Sequence, residues 1–116
     1  MSERRVVVTG IGAISPLGHD LDDTWQGLKE GRSGIGRIEQ CDTSEYPCKI
    51  AGEVKGFDPR PFYRNPKDAR RSDRYTQLAI PAARMALTDS GMDPDAVDKT
   101  RVGVMVGSGI GGLHTL

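Results

Sequence analysis

The sequence is short of three things: net charge, aromatic side chains and long apolar runs. Sixteen Lys and Arg residues balance sixteen Asp and Glu residues over 116 positions. Global electrostatics therefore favours neither nucleic acid nor a membrane surface as partner. Aromatic residues make up 5% of the chain and are not interleaved with its bases, which argues against a stacking platform for single strands. No stretch approaches the ~18 apolar residues of a membrane span, and residues 1–20 lack the apolar core of a signal peptide. The chain is expected to be soluble and cytoplasmic.

Chemistry-bearing residues are equally sparse. The two cysteines, Cys41 and Cys48, have six residues between them, which fits neither a C-x-x-C redox motif nor a zinc knuckle. They read either as a disulfide or reactive thiol, or as free cysteines in or beside a strand. A reducing compartment favours the second reading. His19 lies in a polar turn and is expected to face solvent. His114 follows a glycine cluster, and neither histidine joins the cysteines in a metal-ligand pattern. A chain of this length can bury one core but not two. Residues 1–116 are thus expected to form one unit without an internal boundary, and no repeat or low-complexity stretch is present.

What is there reads as an α/β arrangement. The Val-rich segment 4–9 is bounded by charge and glycine, as a fully buried strand would be. Gly10, Gly12, Pro16 and Gly18 punctuate the turn that follows. Asp20 suits the N-cap of a short helix with Asp22 and Asp23 in its first turn and Gly31 as its stop. Leu21, Trp25 and Leu28 share one face of it. Residues 31–47 read as a connector, 48–54 as a short strand, and 59–66 as irregular structure packing through Phe62 and Tyr63. A long helix is predicted from about Asp68 to Ser90, with Tyr75, Leu78, Ala79, Ala82 and Ala86 on one face and Gly91 closing it. Pro81 in its interior cannot donate to the Gln77 carbonyl, which predicts a kink. Val102–Val106 forms a second buried strand. The order strand, helix, long helix, strand favours parallel pairing.

Two features point to a site. Between Arg60 and Arg74 the sequence places six bases against two acids. Lys67, Arg70, Arg71 and Arg74 recur at helical spacing and can share one face, suited to a flexible acidic partner. The alternative is an ordinary solvated face with local ion pairs to Asp68 and Asp73. The second feature is Gly107-Ser108-Gly109-Ile110-Gly111-Gly112, which matches G-x-G-x-x-G after a predicted strand. As a dinucleotide fingerprint it is out of place, because that motif follows the first strand of its fold. Ile110 within it reads as a pocket residue or as plain core.

The opening Val6-Val7-Val8-Thr9-Gly10-Ile11-Gly12-Ala13-Ile14-Ser15-Pro16-Leu17-Gly18 and the closing Gly-Ser-Gly-Ile-Gly-Gly motif resemble the N-terminal part of the β-ketoacyl-acyl-carrier-protein synthases, the synthase II type above all. The resemblance implies a thiolase-like layered α/β/α fold with buried, mainly parallel strands, and a homodimer. It implies decarboxylative Claisen condensation in fatty-acid elongation, with acyl carrier protein as partner and no cofactor. The isoleucine of the glycine motif then lies along the acyl pocket, which is Ile110 here. The positions that dock the acidic carrier protein correspond to Lys67, Arg70 and Arg71. The family's cysteine nucleophile and two catalytic histidines come after the glycine motif, so the chain by itself is expected to be inactive and to expose apolar surface. Polyketide ketosynthases, their catalytically silent chain-length partners, and a non-enzymatic carrier-protein-binding module remain alternatives.

Overall fold

A computed structural model describes residues 3–112. The chain falls into two compact units, one of residues 13–58 and one that joins residues before 13 to those from 59 onward.

In the unit of residues 13–58, helix α1 spans Leu21–Lys29. Its N-cap is the expected Asp20, whose side chain accepts from Asp23 N at 2.8 Å. Gly31, at φ +66, closes it in the left-handed conformation that glycine adopts without strain. Asp20→Ala removes an acceptor for one of the orphan amides and is expected to cost about 1 kcal/mol in chemical unfolding. An unchanged midpoint would mean that water caps this helix equally well. The buried residue of α1 is Gly27, while Trp25 on the expected apolar face is 58% exposed.

A two-stranded antiparallel ladder follows, β1 (Gly36–Arg37) with β2 (Ile50–Ala51), pairing Gly36 with Ala51 and Arg37 with Ile50. The short strand expected within 48–54 is therefore β2, and its partner lies in the segment expected to be a connector. Both Glu53 carboxylate oxygens accept from the loop, from Glu39 N at 2.9 Å and Gln40 N at 3.1 Å. His19 departs from expectation. It is half-buried, its Nε2 donates to the Lys55 carbonyl at 2.8 Å, and its ring meets Phe57 edge-on at 5.2 Å. Cys41 and Cys48 are free, exposed thiols.

In the other unit, a single 3-10 turn (Arg60–Phe62) leads to α2 (Pro66–Arg71) and α3 (Arg74–Asp89). The helix expected from Asp68 to Ser90 is thus two helices. Ser72, in extended conformation at φ −93 and ψ 142, separates them. At Pro81, by contrast, α3 continues, and that proline is fully buried. Gly91 closes α3 with φ +63. A further 3-10 turn, Lys99–Arg101, is capped by Asp98, which accepts from Thr100 N at 3.0 Å and Thr100 Oγ1 at 2.7 Å. These bonds, the hydroxyl's first, hold the Asp98 carboxyl below its ordinary value. Their stabilisation is present above the ordinary carboxylate range and is lost as pH falls through the lowered value.

The largest departure concerns the two Val-rich segments. Neither 4–9 nor 102–106 is a paired strand, and both are exposed, Val6 to 92% and Met105 to 98%. The sequence pattern reports the environment such segments suit, but burial on both faces requires neighbouring strands. The described residues supply none to either segment, and their one sheet is antiparallel rather than parallel. No helix among the described residues is long and apolar enough to cross a membrane.

Candidate functional site

The basic cluster is built by local chemistry that ends one helix and starts another. Asn65 is the N-cap of α2, its side chain accepting from Lys67 N at 3.1 Å, and Pro66 occupies the first turn where its missing N–H costs nothing. Ser72 stops the helix, its Oγ donating to the Asp68 carbonyl at 2.8 Å. Gln77 then ties the two helices together. Its Nε2 donates to the Ala69 carbonyl at 2.7 Å and the Ser72 carbonyl at 3.0 Å. These bonds satisfy carbonyls that the end of α2 leaves open.

Ala69, 1% exposed, anchors the inner face of α2, while Lys67, Arg70 and Arg71 are all exposed. None of these three side chains forms an ion pair or hydrogen bond with a described residue; the ion pairs Arg32–Glu30, Lys55–Glu39 and Lys99–Asp95 lie elsewhere in the sequence. Lys67, Arg70 and Arg71 thus make none of the local pairs with Asp68 and Asp73 that would have neutralised the face. Arg74 does not belong to it. It starts α3, is half-buried, and donates through Nη1 to Gln77 Oε1 at 3.2 Å. The helical spacing that joined Arg74 to the others fails because the chain is extended at Ser72.

The glycine cluster Gly107–Gly112 is an open segment with a bend at Gly109 and Ile110. No helix begins in it among the described residues, so it lacks the helix N-terminus on which a pyrophosphate would rest. Ile110 is 79% exposed. A groove of about 440 Å³ lies elsewhere in the same unit, lined among others by Ala83, Leu87, Met92, Val97, Val102 and Val104. Ile110 is not part of that lining. His114 lies outside the described residues. Among those described, no three His, Cys, Asp or Glu side chains gather as metal ligands would.

The start of α2 and the role of Gln77 escaped the sequence reading. The Asn-Pro pair at 65–66 was available as a signal for the start of α2. Gln77 carried none, because its partners are set by the break between α2 and α3.

A sequence model of the family described as "Beta-ketoacyl synthase, N-terminal domain" matches residues 3–116. The chain is 45% identical over all of its 116 residues to 3-oxoacyl-acyl-carrier-protein synthase 2 of Synechocystis sp., and 47% identical over the same length to the synthase 2 of Vibrio cholerae. It spans 28% of the length of each of these relatives. Among solved structures, the ishigamide ketosynthase/chain length factor aligns with 81% of this chain and 23% of its own, at 39% identity and a TM-score of 0.72.

Proposed function

Because the chain belongs to the β-ketoacyl synthase family, matching its N-terminal domain from residue 3 to residue 116, we propose that it is the N-terminal part of a fatty-acid-elongating 3-oxoacyl-acyl-carrier-protein synthase. The observation that carries this is the 45–47% identity, unbroken over the whole chain, to two proteins of that name. The lower identity to the ketosynthase/chain length factor, 39%, makes a polyketide role the weaker reading.

In the proposed reaction an acyl group moves from carrier protein onto a cysteine thiolate supplied by a part of the protein beyond these residues. Malonyl-carrier protein loses carbon dioxide, and the carbanion so formed attacks the acyl carbonyl carbon. The new C–C bond forms as the C–S bond to the cysteine breaks, with backbone amides holding the oxyanion. The described segment contributes two things. Lys67, Arg70 and Arg71 receive the acidic carrier protein, supported by their exposure and lack of ion-pair partners. Ile110 forms part of the wall of the acyl pocket, once the rest of a layered, thiolase-like homodimer encloses it. The 116 residues alone are then inactive.

The test is condensation by the intact synthase that carries this segment, given acyl- and malonyl-carrier protein. Release of carbon dioxide with formation of the 3-oxoacyl product is expected, and the absence of both would refute the reading. Within that assay Ile110→Phe should slow condensation of lauroyl relative to hexanoyl thioester by about tenfold or more, since a larger side chain shortens the pocket. Equal effects on both chain lengths would remove Ile110 from the pocket.

A further inference from the structure

We infer that Tyr75 is a positioning residue for the glycine loop, holding Ile110 where it discriminates acyl-chain length; this rests on the pocket reading proposed above. Four of the six residues of Gly107–Gly112 are glycine, so the backbone has few intrinsic restraints. At Gly107 and Gly109 an added Cβ would meet nothing within 4 Å. Gly111 is different. A Cβ there would lie 2.9 Å from Tyr75 Cε1 and 3.0 Å from Tyr75 Cδ1, with Ser108 Oγ also at 2.9 Å. Ser108 belongs to the loop itself, so at these three glycines the brace from outside is the Tyr75 ring.

Ile110 is the residue immediately before that braced position, and is itself 79% exposed. Tyr75 is the second residue of α3, a helix of sixteen residues, so the ring is carried by a regular and comparatively rigid element. Its hydroxyl makes no hydrogen bond to a described residue, and the ring carbons make the contact. A wall that measures chain length must hold its position to a fraction of an ångström, and a loop of glycines does not do so unaided. The Tyr75 ring supplies that restraint from the side of Gly111.

The experiment combines substitutions in the intact synthase and reads the ratio of lauroyl to hexanoyl condensation. Ile110→Phe should lower that ratio by about tenfold. Adding Tyr75→Ala should restore it by about threefold or more, because the unbraced loop lets the larger side chain move aside. Adding Tyr75→Phe should restore nothing. In parallel, amide hydrogen exchange across 107–112 should quicken in Tyr75→Ala and stay unchanged in Tyr75→Phe. If Ile110→Phe shifts the ratio but Tyr75→Ala leaves it there, the positioning role is overturned and the pocket reading stands, whatever the exchange shows. If Ile110→Phe does not shift the ratio, the pocket reading fails and this inference with it. Should Tyr75→Ala not fold, Tyr75→Leu keeps apolar volume without the flat ring and carries the same expectations.

Discussion

Gly12→Ala is expected to destabilise the folded protein by about 3 kcal/mol or more, the upper range for overpacking by one methyl group. An ideal Cβ at Gly12 would sit 2.0 Å from the Ala82 carbonyl oxygen, 2.7 Å from Ala86 N and 2.9 Å from Met85 Cβ. At Gly10 it would sit 2.2 Å from the Ala86 carbonyl oxygen and 2.5 Å from Ser90 N. The obstacles are mostly backbone atoms of α3, so no side-chain rotation relieves them. Relief requires the segment to lift off the helix, which pulls against the bond from Ile11 N to Asp89 Oδ2, 2.8 Å long. Neither glycine has a positive φ, so the demand is for space rather than for an unusual conformation. Gly36→Ala is the control, since a Cβ there meets only the flexible tip of Lys55, at 3.9 Å, and should change stability by less than about 0.5 kcal/mol. Urea unfolding of the intact protein decides the matter. Coincident midpoints for the two variants would show that the segment does not pack on α3 as described.

Reversing two charges on α2 should have the next largest effect, on binding rather than stability. Two opposite unit charges about 6 Å apart in water attract by about 0.7 kcal/mol, and a reversal forfeits about twice that. Arg70→Glu combined with Arg71→Glu should therefore weaken the complex with acyl carrier protein by close to 3 kcal/mol, about a hundredfold, at low salt. The deficit should shrink as salt screens the exposed charges. Folding should be untouched, because both side chains are exposed and unpaired while Ala69, just before them, does the packing. Titration of carrier protein against wild type, the double variant and Arg84→Glu, with Arg84 on α3, distinguishes a docking face from general charge. Equal affinities at low salt would sink the docking assignment.

How much of this was legible in the sequence follows the range of the interactions involved. The cap at Asp20 and the stop at Gly31 were readable because capping is settled within a few residues. The break at Ser72 was not, because apolar periodicity runs on from Tyr75 and a polar Ser-Asp pair can sit on a helix face as easily as between helices. Pro81 lies inside α3 and is fully buried, while the break between helices falls at Ser72, where no proline marks it. The basic face was visible in composition, but whether Arg74 shared it depended on the turn between helices, and it does not. The segments 4–9 and 102–106 mislead in another way. Their composition suits burial between strands, which depends on neighbours that the described residues do not provide. The contact of Tyr75 with Gly111 has no local signature at all.

Those two unpaired Val-rich segments also bear on how such a protein is made. A domain opening a chain of the relatives' length leaves the ribosome first, at roughly 5–20 residues per second. Until the remainder is translated, Val6–Val8 and Val104–Val106 present bare backbone donors and acceptors beside apolar side chains, an open template for sister nascent chains on the same message. Translation speed and chaperone supply, more than the stability of the finished protein, would then set its yield.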